Sequence, residues 1–269
     1  MRTDAGDILL NTARIEAWPG GLLRARGNHD ARLLAGAGHV LRRKQDGRYL
    51  AVINDGVLQP LRPVFANAPG LDDAMQAVTQ FRAHRRSGLD AVPTLPLERL
   101  RERLDRLGLD GDDYAARTGL PLVAEPAWLA LPGFDRYRRP LWLRADAARA
   151  WAGMQAGALR DGVVLEAISG YRSHDYQLGI FERKLARGIA LDDILTVNAA
   201  PGYSEHHGGV ALDIGTPGEP AAEESFEATA AFEWLRDNAA GHGFGLSYPR
   251  GNPHAIAYEP WHWAYARAT

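Results

Sequence analysis

The chain has 269 residues, of which 46% are hydrophobic and 24% are charged, a composition typical of a globular protein with one or two ordinary cores. Its 31 basic and 33 acidic residues leave a formal net charge of −2, which argues against a general nucleic-acid or membrane-surface binder. Cysteine is absent, which excludes disulfides, thiolate catalysis and a Cys-based zinc site, so His and carboxylate side chains are the strong metal ligands available.

The first ten residues, Met1 to Leu10, carry acids and lack the run of roughly seven or more apolar residues that a secretory signal needs. No later run approaches the ~18 apolar residues of a membrane span. We therefore expect a cytoplasmic protein without a membrane span, or a periplasmic or cell-wall protein if a leader has been removed.

Two short β-prone runs come early in the chain, His39–Arg43 and Arg48–Asn54. Between them stands Asp46-Gly47, a hairpin signal, and a second turn at Asp55-Gly56 leads to Val57-Leu58. This pattern predicts a small antiparallel meander.

Helical patterns follow the meander. The first begins at Gly70, continues through Met75, Val78 and Phe81, and ends near Gly88. The second is a leucine stripe from Leu95 to Leu107, which we interpret as a face packed on a neighbour.

Charged and histidine residues of this region have simple interpretations. The charge run Glu98 to Arg106 is typical of a solvated helix face. His29, His39 and His84 lack metal-ligand spacing and are expected to be surface or satisfied polar groups. The role of residues 1–124 is unknown from the sequence, and Leu120 to Pro132 is a candidate linker.

Denser patterns follow this linker. Arg144 to Leu159 predicts a helix and Val163 to Ser169 a buried strand, after which Ser173 or Asp175 caps the next helix. Arg172 precedes the first turn of that helix, where the dipole repels cations. It therefore faces either an anion in a site or, as the alternative, a neighbouring surface acid.

The most informative stretch runs from Ser204 to Asp213. The turn Pro201-Gly202 would present Ser204 and His206 from a loop, and Gly208-Gly209 allow a sharp bend before a strand that carries Asp213.

The C-terminal part supplies a second motif, Glu259-Pro260-Trp261-His262. A helix is predicted within Glu223–His242, then a strand and turn over Gly243–Gly251, and a last strand, Ala255–Glu259, that delivers the motif. Its aromatic neighbours are expected to be core and packing residues that orient the ligands rather than a carbohydrate platform, namely Tyr258, Trp261, Trp263 and Tyr265.

Together these motifs predict a catalytic zinc site. Such a site needs three nitrogen or oxygen ligands and one open position, which His206, Asp213 and His262 would provide. Glu259 is left beside the metal as a base. The adjacent His207 should point elsewhere. Three further histidines border the cleft at most, because no spacing argues for metal binding by His174, His242 or His254.

The motifs follow one another in a definite order: Ser169-Gly170-Tyr171-Arg172-Ser173 and Gln177, then Ser-x-His-x6-Asp, and finally Glu-Pro-Trp-His. This order resembles that of the VanY-type zinc D-Ala-D-Ala carboxypeptidases. These are related to lysostaphin-like enzymes and the hedgehog domain, and the similarity covers about Phe134 to Tyr265. The resemblance implies that residues 125–269 are a catalytic domain with one zinc ion per chain.

The resemblance also implies roles and a substrate. Glu259 and Arg172 would be catalytic, and Ser204, Gln177 and Arg172 would bind substrate. The partner would be a peptidoglycan stem peptide or muropeptide that loses a C-terminal D-alanine in a D,D-carboxypeptidase reaction. L,D-carboxypeptidase action on tetrapeptides during recycling is the alternative, followed by endopeptidase action.

Two non-enzymatic alternatives remain open at this stage. One is a zinc-containing binding module without catalysis, although the presence of both Glu259 and Arg172 argues against it. The other is a wall- or glycan-binding protein in which residues 1–124 do the main work. The expected fold is α+β: a small antiparallel sheet with helices on one side and the metal in a groove, of the hedgehog/D,D-peptidase type, plus an N-terminal α+β region.

Overall fold

A computed structural model describes residues 8–25, 27–84 and 92–266, and the chain forms two compact units. The first comprises Met1–Pro96 and Glu125–Ala130, and the second comprises Leu97–Ala124 and Leu131–Thr269. Each unit combines antiparallel strands with helices, which confirms the predicted α+β class. The units divide the chain differently from the predicted boundary at residue 124, because Leu97–Ala124 packs with the second unit.

The first unit is built on an antiparallel sheet with the strand order β5-β4-β3-β2-β1-β6. Of β6, residues Trp128–Ala130 belong to this unit and pair with β1. The elements are β1 (Ile8–Asn11), β2 (Ile15–Pro19), α1 (Asn28–Ala35), β3 (His39–Arg43), β4 (Tyr49–Asn54), β5 (Val57–Pro60), α2 (Leu71–His84) and β6 (Trp128–Phe134).

Strands β3, β4 and β5 form the meander that the turn residues predict. Asp55 and Gly56 both have positive φ, 48° and 83°, as a two-residue hairpin turn of type I′ requires. Gly47 likewise has φ 67° in the first turn. The helix predicted from Gly70 is α2, and its predicted end near Gly88 lies outside the described residues.

The candidate linker Leu120 to Pro132 is a wrong prediction. Leu129 is fully buried and pairs with Leu9 of β1, so this stretch supplies a strand to the sheet. Glu125 forms an ion pair with Lys44, and both side chains are almost completely buried. Asn11 donates from its side-chain amide to the same Glu125 carboxylate at 3.3 Å.

The second unit contains a four-stranded antiparallel sheet with the order β10-β11-β9-β8. This is the small antiparallel sheet that the sequence predicts. In chain order, the described elements of this unit, the sheet strands included, are α3 (Leu100–Asp105), α4 (Gly111–Thr118), β7 (Pro140–Leu143), α5 (Ala145–Arg160), β8 (Glu166–Ser169), α6 (His174–Leu185), α7 (Leu191–Thr196), β9 (Ala211–Gly215), α8 (Ala230–Asn238), β10 (Phe244–Leu246) and β11 (His262–Tyr265).

The leucine stripe forms a shorter helix than predicted. Helix α3 begins only at Leu100, because Pro96 disfavours helical backbone at Leu95, whose N–H instead donates to the Glu125 carbonyl. Three of the leucines nevertheless pack in a core with residues of α6 and α7, as expected of a buried face: Leu100, Leu104 and Leu107.

The charge run Glu98 to Arg106 is not simply a solvated face. Arg103 is buried and donates to Asp175 at 2.7 Å, and Arg99 lies 3.5 Å from the same carboxylate. These ion pairs connect α3 to the first turn of α6. Ser173 caps α6 by accepting a hydrogen bond from the Tyr176 N–H, as one of the two predicted caps.

The prediction of a last strand over Ala255–Glu259 is wrong. The backbone N–H of Ala257 donates to Thr196 and that of Glu259 to Tyr248, so these donors do not form a sheet ladder there. Ala255 also has a left-handed φ of 56°. The strand begins instead at His262, as β11. The helix predicted over Glu223–His242 is confined to α8, with 3₁₀ turns on either side.

Within the described ranges, no helix combines the length and the apolar character that crossing a membrane would require.

Candidate metal centre

The centre of the second unit's sheet places one carboxylate between two neighbouring strands. Asp213 of β9 pairs with His262 of β11 on one side and with Ser169 of β8 on the other. Directly opposed residues of antiparallel strands share a face of the sheet. The register therefore brings Asp213 and His262 together although 49 positions separate them.

His206 reaches the same place from a short 3₁₀ turn, Glu205–Gly208, that precedes β9. The turn ends at Gly209, whose φ of 66° lies in the left-handed region that favours glycine. This residue lets the chain reverse direction between the two predicted ligands, as the paired glycines indicate.

The three predicted ligands converge. The ligand atoms of His206, Asp213 and His262 all lie within 4.8 Å of one another, and all three residues are buried. The Asp213 Oδ1 atom lies 3.4 Å from Nε2 of His206 and 3.2 Å from Nδ1 of His262. Ligands placed 2.0–2.1 Å from a tetrahedral zinc ion are roughly 3.3 Å apart, so the two distances to Asp213 Oδ1 and the chemistry of the donor set both suit zinc.

The outward-facing atoms of these ligands are held by neighbouring groups. His206 Nδ1 contacts the Gly170 carbonyl at 2.7 Å, and His262 Nε2 contacts the Glu205 carboxylate at 2.8 Å. Ser169 donates its hydroxyl to Asp213 Oδ2 at 2.6 Å. Metal-binding imidazoles commonly use their second nitrogen in this way, which fixes the ring and leaves the other nitrogen for the ion. His206 Nε2 and His262 Nδ1 thereby face Asp213 and are left available for an ion.

Burial and charge shift the pKa of each ligand. Burial alone lowers the pKa of both imidazoles, but hydrogen bonds to Asp213 and Glu205 raise that of His262 to about 10. Burial prevails at His206, whose pKa is lowered although Asp213 opposes the shift. Burial would raise the pKa of Asp213, yet the two imidazoles hold it well below its ordinary value.

Glu259 lies beside the ligands without joining them. Its Oε2 atom is 3.8 Å from Nδ1 of His262, and its N–H donates to the Tyr248 carbonyl. Burial raises the pKa of Glu259 to about 7, against the charge of His262, which lowers it. A carboxylate that is half-protonated near neutral pH suits a group that takes up and returns a proton.

Arg172 is held next to the same ligands. Its guanidinium donates to Gln177 Oε1 at 3.0 Å and lies 3.8 Å from Asp213 Oδ2. Gln177 in turn donates to the Ala199 carbonyl at 2.8 Å. The surface alternative for Arg172 is therefore wrong, since its acidic neighbour is a predicted metal ligand. Gln177, predicted to bind substrate, has its amide oxygen and nitrogen engaged by Arg172 and Ala199.

One cleft of about 430 Å³ lies over this site. Each predicted site residue lines it, namely Arg172, Gln177, Ser204, His206, Asp213, Glu259 and His262. Trp261 and Tyr258 line the cleft as well, whereas Trp263 is buried and donates to the Pro260 carbonyl, in agreement with a packing role.

The remaining histidines lie outside the ligand set. His207 is fully buried and contacts the Arg172 carbonyl through Nδ1 at 2.6 Å, as expected for a residue that points away from the metal. His174 contacts the Val123 carbonyl and His254 the Thr118 carbonyl. None of the described residues His174, His242 and His254 lines the cleft.

Sequence reasoning missed three functional neighbours. Glu205 and Ser169 hold ligands, and Lys184 of α6 lines the cleft. A signal exists for Glu205, because it lies inside the Ser-x-His motif as an acid adjacent to His206. Ser169 belongs to the quoted upstream motif but without an assigned role. Lys184 has no local signal beyond its position on a helix that follows Arg172.

Comparison with known proteins finds similar proteins that are named carboxypeptidases. The sequence model of the family described as "VanY: D-alanyl-D-alanine carboxypeptidase" matches residues 140–268. The putative carboxypeptidase YodJ of Bacillus subtilis is 34% identical over 63% of this chain and 63% of its own length. The bifunctional D-Ala-D-Ala dipeptidase and carboxypeptidase VanXYC of Enterococcus gallinarum is 30% identical over 52% of this chain and 75% of its own length.

Solved structures are also similar, among them that of the LdcB LD-carboxypeptidase, which concerns peptidoglycan recognition. It is 33% identical, covers 51% of this chain and 67% of its own, and superposes with a TM-score of 0.48. The chain spans less than two thirds of the length of YodJ and 40% of that of a D-alanyl-D-alanine carboxypeptidase from Enterococcus faecium.

Proposed function

Because the chain belongs to the VanY family of D-alanyl-D-alanine carboxypeptidases, we propose that it is a zinc-dependent carboxypeptidase that removes a C-terminal D-alanine from peptidoglycan stem peptides. The observation that carries this proposal is the convergence of His206, Asp213 and His262 in one cleft, with Glu259 beside them. A binding module would not need a buried carboxylate whose pKa is raised to about 7.

The metal has a defined place in this proposal. A zinc ion bound by His206 Nε2, Asp213 and His262 Nδ1 would supply Lewis acidity to an attacking water and to the scissile carbonyl. The ligand set of two imidazoles and one carboxylate also favours zinc over harder cations. We propose one ion per chain, which the single such cluster among the described residues supports.

Glu259 performs the proton transfers. It accepts a proton from the attacking water and returns this proton to the amine that leaves when the peptide bond breaks. Burial raises the pKa of Glu259 above the ordinary value of a carboxyl group, which favours return of the proton to the leaving amine. Burial in the cleft is the cause of that pKa, so the surroundings of Glu259 prepare it for both steps.

Arg172 stabilises the negative charge that develops on the carbonyl oxygen of the peptide. Gln177 fixes the guanidinium by accepting a hydrogen bond at 3.0 Å, which lets Arg172 meet this charge without rearranging. We therefore assign Gln177 a positioning role rather than direct substrate binding. Ser204 lines the cleft next to the ligands and is the proposed hydrogen-bonding group for the peptide backbone.

The test is hydrolysis of defined stems by the zinc-loaded protein, with mass analysis of the products. The proposal expects a pentapeptide stem to yield a tetrapeptide and D-alanine. Conversion of a tetrapeptide to a tripeptide would instead establish L,D-carboxypeptidase action, and cleavage of cross-linked stems would establish an endopeptidase. If zinc-loaded protein hydrolyses none of these substrates, the proposal fails.

A further inference from the structure

The chain uses lysine at only two positions, Lys44 and Lys184, among its 31 basic residues. Lys44 is buried in the first unit and is paired with the Glu125 carboxylate. Lys184 is half-buried on α6 and lines the catalytic cleft. Lysine carries a compact ammonium on a flexible stem, whereas arginine has a broad planar fork. The cleft lysine is therefore distinct from the arginines that supply most of the positive charge.

Within the described part of the chain, Lys184 has no carboxylate partner of its own. Among the residues that the structure describes, no ion pair joins its ammonium to an acid. Burial lowers the pKa of Lys184, and the positive charge of Arg172 lowers it further, against a smaller attraction from Glu259. A partly desolvated cation beside a second cation is unfavourable unless an anion joins them.

The position of Lys184 in the last turn of α6 does not explain this arrangement. A cation at that end of a helix is favoured by the helix dipole, but exposed Arg183 in the same turn already meets this preference. The dipole does not account for an ammonium in the cleft near Arg172. An anionic ligand of the cleft does.

Arg172 is already engaged by neighbouring side chains, so it is not available in the way that Lys184 is for a carboxylate further along the substrate. Its guanidinium is hydrogen-bonded to Gln177 and lies 3.8 Å from Asp213, at the metal-ligand side of the cleft. The carboxylate carbon of a C-terminal alanine lies within roughly 4 Å of the scissile carbon, so its anchor must line the same cleft as Arg172 and Glu259. Lys184 lines that cleft and interacts electrostatically with both residues.

We propose that Lys184 binds the free C-terminal carboxylate of the peptide and thereby makes the cleft select a terminal residue over an internal bond. This inference rests on the proposed carboxypeptidase function and adds the group that reads the chain end. It assigns Arg172 to the carbonyl oxygen and Lys184 to the carboxylate, one residue further along the substrate.

Kinetics test the assignment with a stem pentapeptide and its C-terminal amide. In the wild type the free acid is preferred, and Lys184→Met reduces this preference by roughly 10- to 100-fold, mainly through KM, because a charge-assisted hydrogen bond is lost. Lys184→Arg keeps part of the preference. The matched control is Arg183→Met, which removes the same charge from the neighbouring exposed position and leaves the preference unchanged.

Binding tests it without turnover. Biosynthetic incorporation of ¹³C-labelled lysine leaves both side chains chemically unchanged and gives signals from two lysines in NMR spectra, with buried Lys44 as the internal reference. Addition of D-alanine should shift the Lys184 signal, and addition of D-alaninamide should not. The Lys44 signal should stay in place in both titrations.

The outcomes separate the two proposals. If Lys184→Met lowers hydrolysis of acid and amide equally, or if D-alanine and its amide shift the Lys184 signal alike, the carboxylate assignment is wrong while the carboxypeptidase stands. If the wild type hydrolyses neither stem but D-alanine alone shifts Lys184, the carboxylate site stands and the proposed reaction fails.

Discussion

The first unit and the cleft of the second unit both bury charged side chains, but they treat them in opposite ways. In the first unit Lys44 and Glu125 face each other as an ion pair, and Glu16 accepts from Arg42 at 2.7 Å. In the second unit the cleft gathers acids and imidazoles around Asp213, while Lys184 lacks a carboxylate partner among the described residues.

This difference separates charge that supports a fold from charge that supports a site. A buried pair of opposite charges is balanced within the chain. The balance is lost only when one partner is removed. A buried group with a strongly shifted pKa, such as Glu259, is incomplete until a proton, a metal or a substrate joins it. Four experiments test whether the two units differ in this way.

The largest effect is expected from Glu259→Ala. Loss of the proton acceptor should lower kcat on the stem peptide by roughly 10²- to 10⁴-fold, because this group assists both proton transfers. Zinc affinity should change little, since Glu259 is not one of the three ligands. Release of D-alanine and a zinc titration measure the two effects. Glu233→Ala, on the exposed side of α8, is the control, and wild-type turnover by Glu259→Ala would show that Glu259 is not the proton acceptor.

The first unit is tested by Lys44→Met. This change leaves the buried Glu125 carboxylate without its cation and should reduce the free energy of unfolding by roughly 3 to 5 kcal/mol. Urea denaturation measures the loss, and turnover by the folded fraction should be unchanged. Because the penalty comes from an unpaired charge, the double variant Lys44→Met/Glu125→Leu should regain much of the stability. A double variant as unstable as Lys44→Met would contradict the matched-pair interpretation.

A pH-dependent effect is expected from Glu259→Gln in zinc-free protein. The pKa of Glu259 is raised from 4.5 to about 7, so ionising this group increasingly destabilises the folded protein as the pH rises through that window. Removal of the acid should therefore stabilise the protein, relative to wild type, by roughly 2 to 3 kcal/mol more at about pH 8 than at about pH 4. Urea denaturation at the two pH values, with a chelator present, measures this. If the stability difference between the variant and the wild type is the same at both pH values, the ionisation of Glu259 does not contribute to the free energy of unfolding.

The smallest effect concerns Glu205, which contacts Nε2 of His262 at 2.8 Å. Glu205→Gln should lower zinc affinity by roughly 10- to 100-fold, because a carboxylate behind a metal-binding imidazole raises its basicity and fixes its orientation. Competition with a chelator measures the affinity. Glu223→Gln provides a matched change at an acid that lines the cleft and should leave the affinity unaltered.

Much of the site could be predicted because its signals are local. His206, Asp213, His262 and Glu259 belong to compact motifs with distinctive residue types, and the structure brings all four together. The meander of the first unit was equally predictable, since Asp55-Gly56 requires a backbone conformation that few other pairs adopt.

The errors share a different origin. Arg103 looked solvated among its charged neighbours, but Asp175 of α6 pairs with it 72 positions later. The stretch Ala255–Glu259 has strand-like residues, yet its N–H groups donate to Thr196 and Tyr248 instead of a sheet. In both cases the partner is distant in sequence, and the local pattern contains no trace of it.

The sequence by itself therefore determined the ligand types, the base and the turns, because side-chain chemistry and backbone preference are properties of the residues themselves. Only the tertiary structure decided which nitrogen of each imidazole is left for an ion, why burial raises the pKa of Glu259, that Glu205 contacts His262, and that Lys184 lines the cleft. Those properties depend on desolvation and on hydrogen-bonding partners that remote segments supply on folding.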